Sequence, residues 1–132
     1  VERPAAAISE FWRTLKPSGR LALFTPNLLH YYGIASRLTP HSFHLSFNRR
    51  VRGFDDSDIF PTFYRANTRR RLQRLLSSSG FARIELTLAE GAPSALEFNS
   101  VLHAFGKTYQ CAVTSFDWLA SFRMNLIAIA MK

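Results

Sequence analysis

The stretch that most limits how this chain can fold is residues 10–27, Glu10-Phe11-Trp12-Arg13-Thr14-Leu15-Lys16-Pro17-Ser18-Gly19-Arg20-Leu21-Ala22-Leu23-Phe24-Thr25-Pro26-Asn27. Ile8, Phe11, Trp12 and Leu15 recur at helical spacing and form one apolar face. Pro4 suits the first turn of that helix, where a missing N–H costs nothing. Lys16-Pro17-Ser18-Gly19 stops it. Residues 20–25 are then apolar on both faces, Leu21 and Leu23 on one, Ala22 and Phe24 on the other. Such a strand belongs in the middle of a parallel sheet with helices over both sides. It stops abruptly at Thr25-Pro26-Asn27, and in an open parallel sheet ligands bind where strands end at their carboxyl side.

The rest of the chain continues the alternation of helix and strand. Asn27 can cap a second helix running to about Leu38, with Leu28, Leu29, Tyr32, Ala35 and Leu38 as its buried face. Gly33 weakens that helix and Thr39-Pro40 ends it. Residues 41–64 carry no sustained periodicity and include the turn signal Arg52-Gly53-Phe54-Asp55-Asp56. A loop of that length in a compact domain is a lid, a binding loop or disordered. Its aromatics, Phe43, Phe47, Phe54, Phe60, Phe63 and Tyr64, argue against disorder. Asn67 caps a third helix whose apolar side is Leu72, Leu75 and Leu76, and Gly80 ends it. Residues 83–88 alternate, with Ile84, Leu86 and Leu88 opposite Glu85 and Thr87, as in a strand less deeply buried than residues 21–24. Glu90-Gly91-Ala92-Pro93 is a break. Residues 94–105 read as a helix with Leu96, Val101, Leu102 and Phe105 inward, and 115–122 as a shorter one. Residues 123–131 alternate as a last strand, with Ile127, Ile129 and Met131 opposite Leu126, Ala128 and Ala130.

At 132 residues the chain holds one domain and one core. No apolar run approaches the ~20 residues that span a bilayer, and no N-terminal segment reads as a secretory signal. Cys111 is the only cysteine, so neither an internal disulfide nor a Cys-rich zinc site can form, which fits a cytoplasmic location. Lys and Arg number 17 against 9 Asp and Glu, a net charge of +8, with Arg49, Arg50 and Arg52 in one cluster and Arg69, Arg70, Arg71 and Arg74 in another. Such charge serves nucleic acid, anionic lipid or an acidic substrate. The plainer reading is a solvated helix face, since no nucleic-acid-binding motif accompanies it.

The segment from Leu15 to Gly19, followed by residues 20–27, resembles the helix, "LKPGG" turn and fifth strand of class I S-adenosylmethionine (SAM)-dependent methyltransferases of the type 11/12 kind. Ser18 stands where the family has its middle glycine. Val1-Glu2-Arg3-Pro4 is similar to the tail of the segment after the family's fourth strand, and Gly80-Phe81 to the opening of its sixth. Residues 123–131 resemble its last strand, which is antiparallel and lies between the fifth and sixth. The resemblance implies an α/β fold: a partial Rossmann-like sheet, the fifth to seventh strands with flanking helices, with 41–64 as a loop or lid insertion. The family holds SAM with a glycine-rich loop after the first strand and an acidic residue after the second. Here the glycines are at 19, 33, 53, 80, 91 and 106, no two separated by a single residue, so no Gly-x-Gly loop can be built. SAM is therefore an implied cofactor whose main binding motif the sequence lacks. The expectation is the C-terminal portion of a longer methyltransferase, with a split or degenerate gene product as the rival. Alone, it is expected to be inactive. It is also expected to self-associate, or to depend on the missing N-terminal half, because an uncovered strand face forfeits burial comparable to a domain's whole margin.

By the resemblance, Thr25 and Asn27, with His30 and Tyr31 nearby, line the pocket for a small-molecule or conjugated acceptor. Asn27 is equally readable as a helix cap. His41 and His44 have His-x-x-His spacing, which suits a base or substrate contact better than a metal, because no further ligand is spaced to join them. Surface or structural histidines are the plainer alternative. Tyr64 and Arg65 follow the loop. Arg65 can grip a carboxylate or phosphate of the acceptor, or pair with Asp55, Asp56 or Asp58. Glu97 and His103 read as structural or exposed, and Cys111 as a small core residue. No catalytic residue is assigned, because methyl transfer by direct displacement depends mainly on positioning. The alternative function is a non-enzymatic basic binding module, RNA-associated, that retains a remnant of the fold.

Overall fold

The two segments that read as strands at 20–25 and 83–88 never touch each other. A third strand separates them. In the structure, a computed structural model that describes residues 1–39, 63–92 and 96–132, β1 (Arg20–Pro26) and β2 (Ala82–Ala89) both pair antiparallel with β3 (Asn125–Met131). β1 and β2 therefore run parallel, with their carboxyl ends at the same end of the sheet. The register aligns Leu23 with Ala128 and Ala128 with Leu86, so one face of all three strands is apolar. Around the sheet lie α1 (Pro4–Thr14), α2 (Tyr31–Leu38), α3 (Arg69–Ser78), α4 (Ser100–Ser115) and a short 3₁₀ helix (Asp117–Phe122).

Helices α1 and α3 sit on that apolar face. Ile8, Leu72, Leu76, Phe81, Leu126, Ala128 and Ala130 form the buried cluster, with Leu15, Leu21, Leu23, Leu75, Ile84, Leu86 and Leu88 packed against it. Pro4 stands in the first turn of α1, as its missing N–H favours. α3 ends in a Schellman motif: Gly80 takes a φ of 94°, its N–H donates to Ser77, and the Phe81 N–H donates to Leu76. Phe81 then enters the core. In the turn before β1, Ser18 adopts a left-handed φ of 62°, a conformation glycine takes at no steric cost. Gly19 packs so closely on the Lys16 carbonyl that a Cβ would lie 2.7 Å from its oxygen. The two chain segments are tied again by Lys132, whose backbone N–H donates to Gly19 and whose ammonium donates to the Leu15 carbonyl and lies over the Trp12 ring.

Several expectations are corrected. Among the described residues β1 has no parallel neighbour and is the edge of a three-stranded antiparallel sheet, and only its Leu21/Leu23 face is covered; Phe24 is 70% exposed. Asn27 does not cap α2. His30 does, through Nδ1, and most of the helix's expected buried face, Leu29, Ala35 and Leu38, is exposed. Gly33 is instead its buried residue, seated where a Cβ would lie 2.6 Å from the Asn27 oxygen. Asn67 does not cap α3, which begins after Thr68 without a side-chain cap bond. The helix expected at 94–105 begins at Ser100, capped by Asn99, and runs on to Ser115, leaving Val101, Leu102 and Phe105 exposed. Cys111 is exposed, not in the core. Most of the 41–64 segment, with His41 and His44, lies outside the described residues.

Candidate functional site

Where β1 and β2 reach their carboxyl ends, buried polar side chains collect. Asn27 is 2% exposed and fully engaged. Its amide donates to the Ser121 and Arg123 carbonyls, both at 2.8 Å, and its Oδ1 accepts from the Leu29 N–H. Asn67 plays the matching part. Its amide donates to Thr25 Oγ1 at 2.7 Å and to the Pro26 carbonyl, while its own carbonyl accepts from Leu28 N–H. The two asparagines thus fasten the chain leaving β1 to the segments before β3 and before α3. Thr25 and Asn27 serve as this scaffold.

The scaffold presents His30, which is 1% exposed. Its Nδ1 accepts from the Tyr32 N–H at 3.2 Å, so the proton of the neutral ring sits on Nε2. Nε2 has no hydrogen-bond partner; the nearest carboxylate oxygen, Glu90 Oε1, lies 3.6 Å away. Glu90 follows β2 directly and anchors its other oxygen on the Met124 N–H at 3.0 Å. Aromatic rings enclose the pair. Tyr31 and Tyr109 lie 4.1 and 5.2 Å from the His30 ring, centroid to centroid, and 4.8 Å from each other. Tyr109 is held by its hydroxyl, which donates to the Phe122 carbonyl at 2.6 Å. The Tyr32 hydroxyl is buried, and its side chain adds to the raising of Tyr31.

Burial dominates the electrostatics. It lowers His30 to about 4, so the imidazole is neutral near neutral pH. It raises Glu90, against the pull of the Met124 and Gly91 backbone and of the Arg123 guanidinium. It also raises Tyr31, and it pushes Tyr109 up to about 12, with the Glu90 charge adding to both. Arg123 is positioned by its own bonds to the Val113 and Leu88 carbonyls. The arrangement offers one N–H donor and one carboxylate acceptor within an aromatic wall.

Of the residues singled out from sequence, the structure brings His30 and Tyr31 together, and the His30 N–H donates to the Asn27 carbonyl. Arg65 lies elsewhere: its guanidinium donates to the Glu2 carbonyl at 2.8 Å and lies over the Phe63 ring, and neighbouring Tyr64 takes a φ of 48°. Glu90, Tyr32, Tyr109 and Arg123 were not legible as site residues. For Glu90 a signal existed, since it ends the alternating strand as Asn27 ends the first. No group of His, Cys, Asp and Glu among the described residues is arranged to hold a metal ion, and no two glycines of the sequence are separated by a single residue. Away from this end, Arg70, Gln73, Arg74, Ser77 and Ser78 line an open groove of about 760 Å³ on the outer side of α3. No described helix is long and apolar enough to cross a membrane.

No protein-family model matches the chain, and no curated protein matches it. Among solved structures it is similar to the crystal structure of a SAM dependent methyltransferase from Archaeoglobus fulgidus, at 14% identity and a TM-score of 0.50. The match covers 99% of this chain and 52% of that one, so the chain spans about half the length of its structural relative. At that identity the likeness is one of fold: a small antiparallel sheet with helices, arranged as in part of a methyltransferase.

Proposed function

We propose that this chain forms the acceptor-side half of a SAM-dependent methyltransferase domain of the type 11/12 kind, with a partial Rossmann-like sheet. The reading rests chiefly on one observation: β3 runs antiparallel between two strands that are parallel to each other, and a buried polar cluster lies at the carboxyl ends of that pair. A crossover of this kind brings ligand-binding loops to one end of a sheet. The fold likeness over 99% of the chain supports it. Because the sequence has no Gly-x-Gly loop, the reading assigns donor binding to another segment. That segment docks on the β1 edge that is unpaired among the described residues and on the face beside the exposed Phe24, as an N-terminal half or a separate chain; a second copy of this chain can cover the same surface without restoring the donor site. Calorimetric titration with SAM tests this. The chain alone is expected to give no heat of binding. Joined to the protein sequence encoded immediately upstream, it is expected to bind SAM and to unfold at a higher temperature. An upstream sequence that leaves both unchanged overturns the reading.

The second reading, a basic binding module, is favoured by the arginine groove of α3. RNA binding that weakens steeply with salt, without any response to SAM in either form of the protein, would favour it instead.

A further inference from the structure

We propose that His30 and Glu90 form a binding site for the hydroxyl group of an aromatic ligand, with His30 Nε2–H donating to the hydroxyl oxygen and Glu90 Oε1 accepting its proton in a hydrogen bond. The inference deepens the acceptor-side reading above and depends on it only for the ligand's role.

Buried polar groups are nearly always paired, so an orphan in a well-formed core asks for an explanation. Here one such atom faces a carboxylate oxygen. His30 Nε2 is buried without a partner. Glu90 Oε1 is turned toward it at 3.6 Å, too long for a hydrogen bond, while Oε2 is held on the Met124 N–H. A single oxygen set to one side of the line between them lies within hydrogen-bond distance of both. The bond from Tyr32 N–H to Nδ1 fixes the ring so that Nε2 can only donate while it is neutral. The carboxylate can only accept. The guest must therefore do both through one small group. A hydroxyl does. A carboxylate would face the Glu90 charge, an ammonium cannot accept from Nε2–H, and an ether or ketone offers Glu90 Oε1 no proton.

The surroundings specify the rest of the ligand. Tyr31 and Tyr109 wall the pair, and Tyr31 is half-buried, its ring 6.2 Å from that of Phe105, which is exposed. The ring cluster thus reaches the surface beside α4, where a planar apolar body can stack edge-to-face. The charged and titratable groups acting on Glu90 or on the same rings are His30, Tyr31, Tyr32, Tyr109 and Arg123. Burial keeps His30 neutral at working pH and so preserves its donor role.

Ligand-observed fluorine NMR tests the site on the chain as it exists, with para-fluorophenol as probe and para-fluoroanisole and para-fluorobenzoate as controls. Saturable broadening of the phenol is expected, with both controls about tenfold or more weaker, as one lost hydrogen bond to a charged group predicts. Glu90→Gln is expected to weaken the phenol by a similar factor. Should that variant fail to fold, the His30 ring resonances of the unaltered protein serve instead, and they are expected to shift with phenol and not with anisole. Absence of phenol binding, equal binding of anisole, or a His30 ring that responds to neither and holds an ordered water only would overturn the inference. SAM binding by the extended protein is measured separately, so either reading can fail without the other.

Discussion

The two faces of the sheet are built from the same three strands in the same register, yet they live in different surroundings. On one face the rows Leu23–Ala128–Leu86 and Thr25–Leu126–Leu88 lie under α1 and α3, and Leu126 and Ala128 are almost wholly shielded. On the other, the rows Ala22–Ile129–Glu85 and Phe24–Ile127–Thr87 leave Phe24 70% and Ile129 42% exposed. Helices α1 and α3 pack against each other and land on the same side, so they cannot serve both. The apolar pattern of residues 21–24 records the burial to which the strand is suited. The described chain supplies half of it.

The largest asymmetry between the faces should appear on truncating one side chain from each. Leu76 is fully buried on the covered side. Leu76→Ala is expected to cost about 2–5 kcal/mol, a large share of a margin of roughly 5–15 kcal/mol. In urea denaturation the midpoint should fall sharply, and the transition should broaden if the core loses its fixed packing. A loss within about 0.5 kcal/mol, the range of ordinary surface substitutions, would mean that α3 is not anchored through Leu76.

A second contrast sets the dry core against the polar end of the sheet, and pH separates them. His30 has an ordinary value of 6.5 and is lowered to about 4 by burial. As pH falls through this window the unfolded chain takes up the proton first. The stability present above pH 6.5 is therefore lost down to about pH 4, by about 3 kcal/mol at 1.36 kcal/mol per unit. Glu90 acts in the opposite sense. Burial raises it above 4.5, so the folded protein binds that proton first, and its contribution falls as pH rises through the raised value. Denaturation midpoints should thus fall less steeply on acidification in the unaltered protein than in Glu90→Gln, where the His30 slope stands alone. A flat profile in the variant would place His30 in solvent.

The same division governs what the sequence discloses. Local rules worked where the deciding contacts are local. The Schellman stop at Gly80, the proline opening α1 and the alternation of β2 each depend on residues a few positions apart. The placement of the last strand between the other two followed from the resemblance and is found. The polar end was hard to read because its bonds are long-range. Asn27 reaches carbonyls 94 and 96 residues away, and Asn67 reaches back 42 residues to Thr25. Both looked like caps, since an asparagine ahead of a helix gives the same local signal whether it bonds the next turn or a distant strand. The start of α4 is not marked by apolar spacing, which continues upstream of Asn99, whose side chain sets the boundary. The sequence marks Glu90 only as the residue that ends an alternating strand; its place opposite His30 is set by the fold.

The subtlest prediction concerns the open face. Phe24 is 70% exposed, so Phe24→Glu removes little burial and is expected to change unfolding free energy by no more than about 0.5 kcal/mol. Glutamate is a poorer strand former than phenylalanine, but an edge position tolerates charge and is commonly protected by it. Association should respond far more than stability. Sedimentation velocity of the unaltered chain is expected to show self-association through the β1 edge, unpaired among the described residues, and the Phe24–Ile129 face, and Phe24→Glu is expected to shift it toward monomer. If the substitution instead destabilises the fold as strongly as Leu76→Ala, Phe24 is buried in solution and the open face is already covered. If it leaves association untouched, the copies meet elsewhere, with the exposed Trp118 and Phe116 beside α4 the next surface to alter. In that case the vacancy on β1 would be reserved for a partner that two copies of this chain do not imitate.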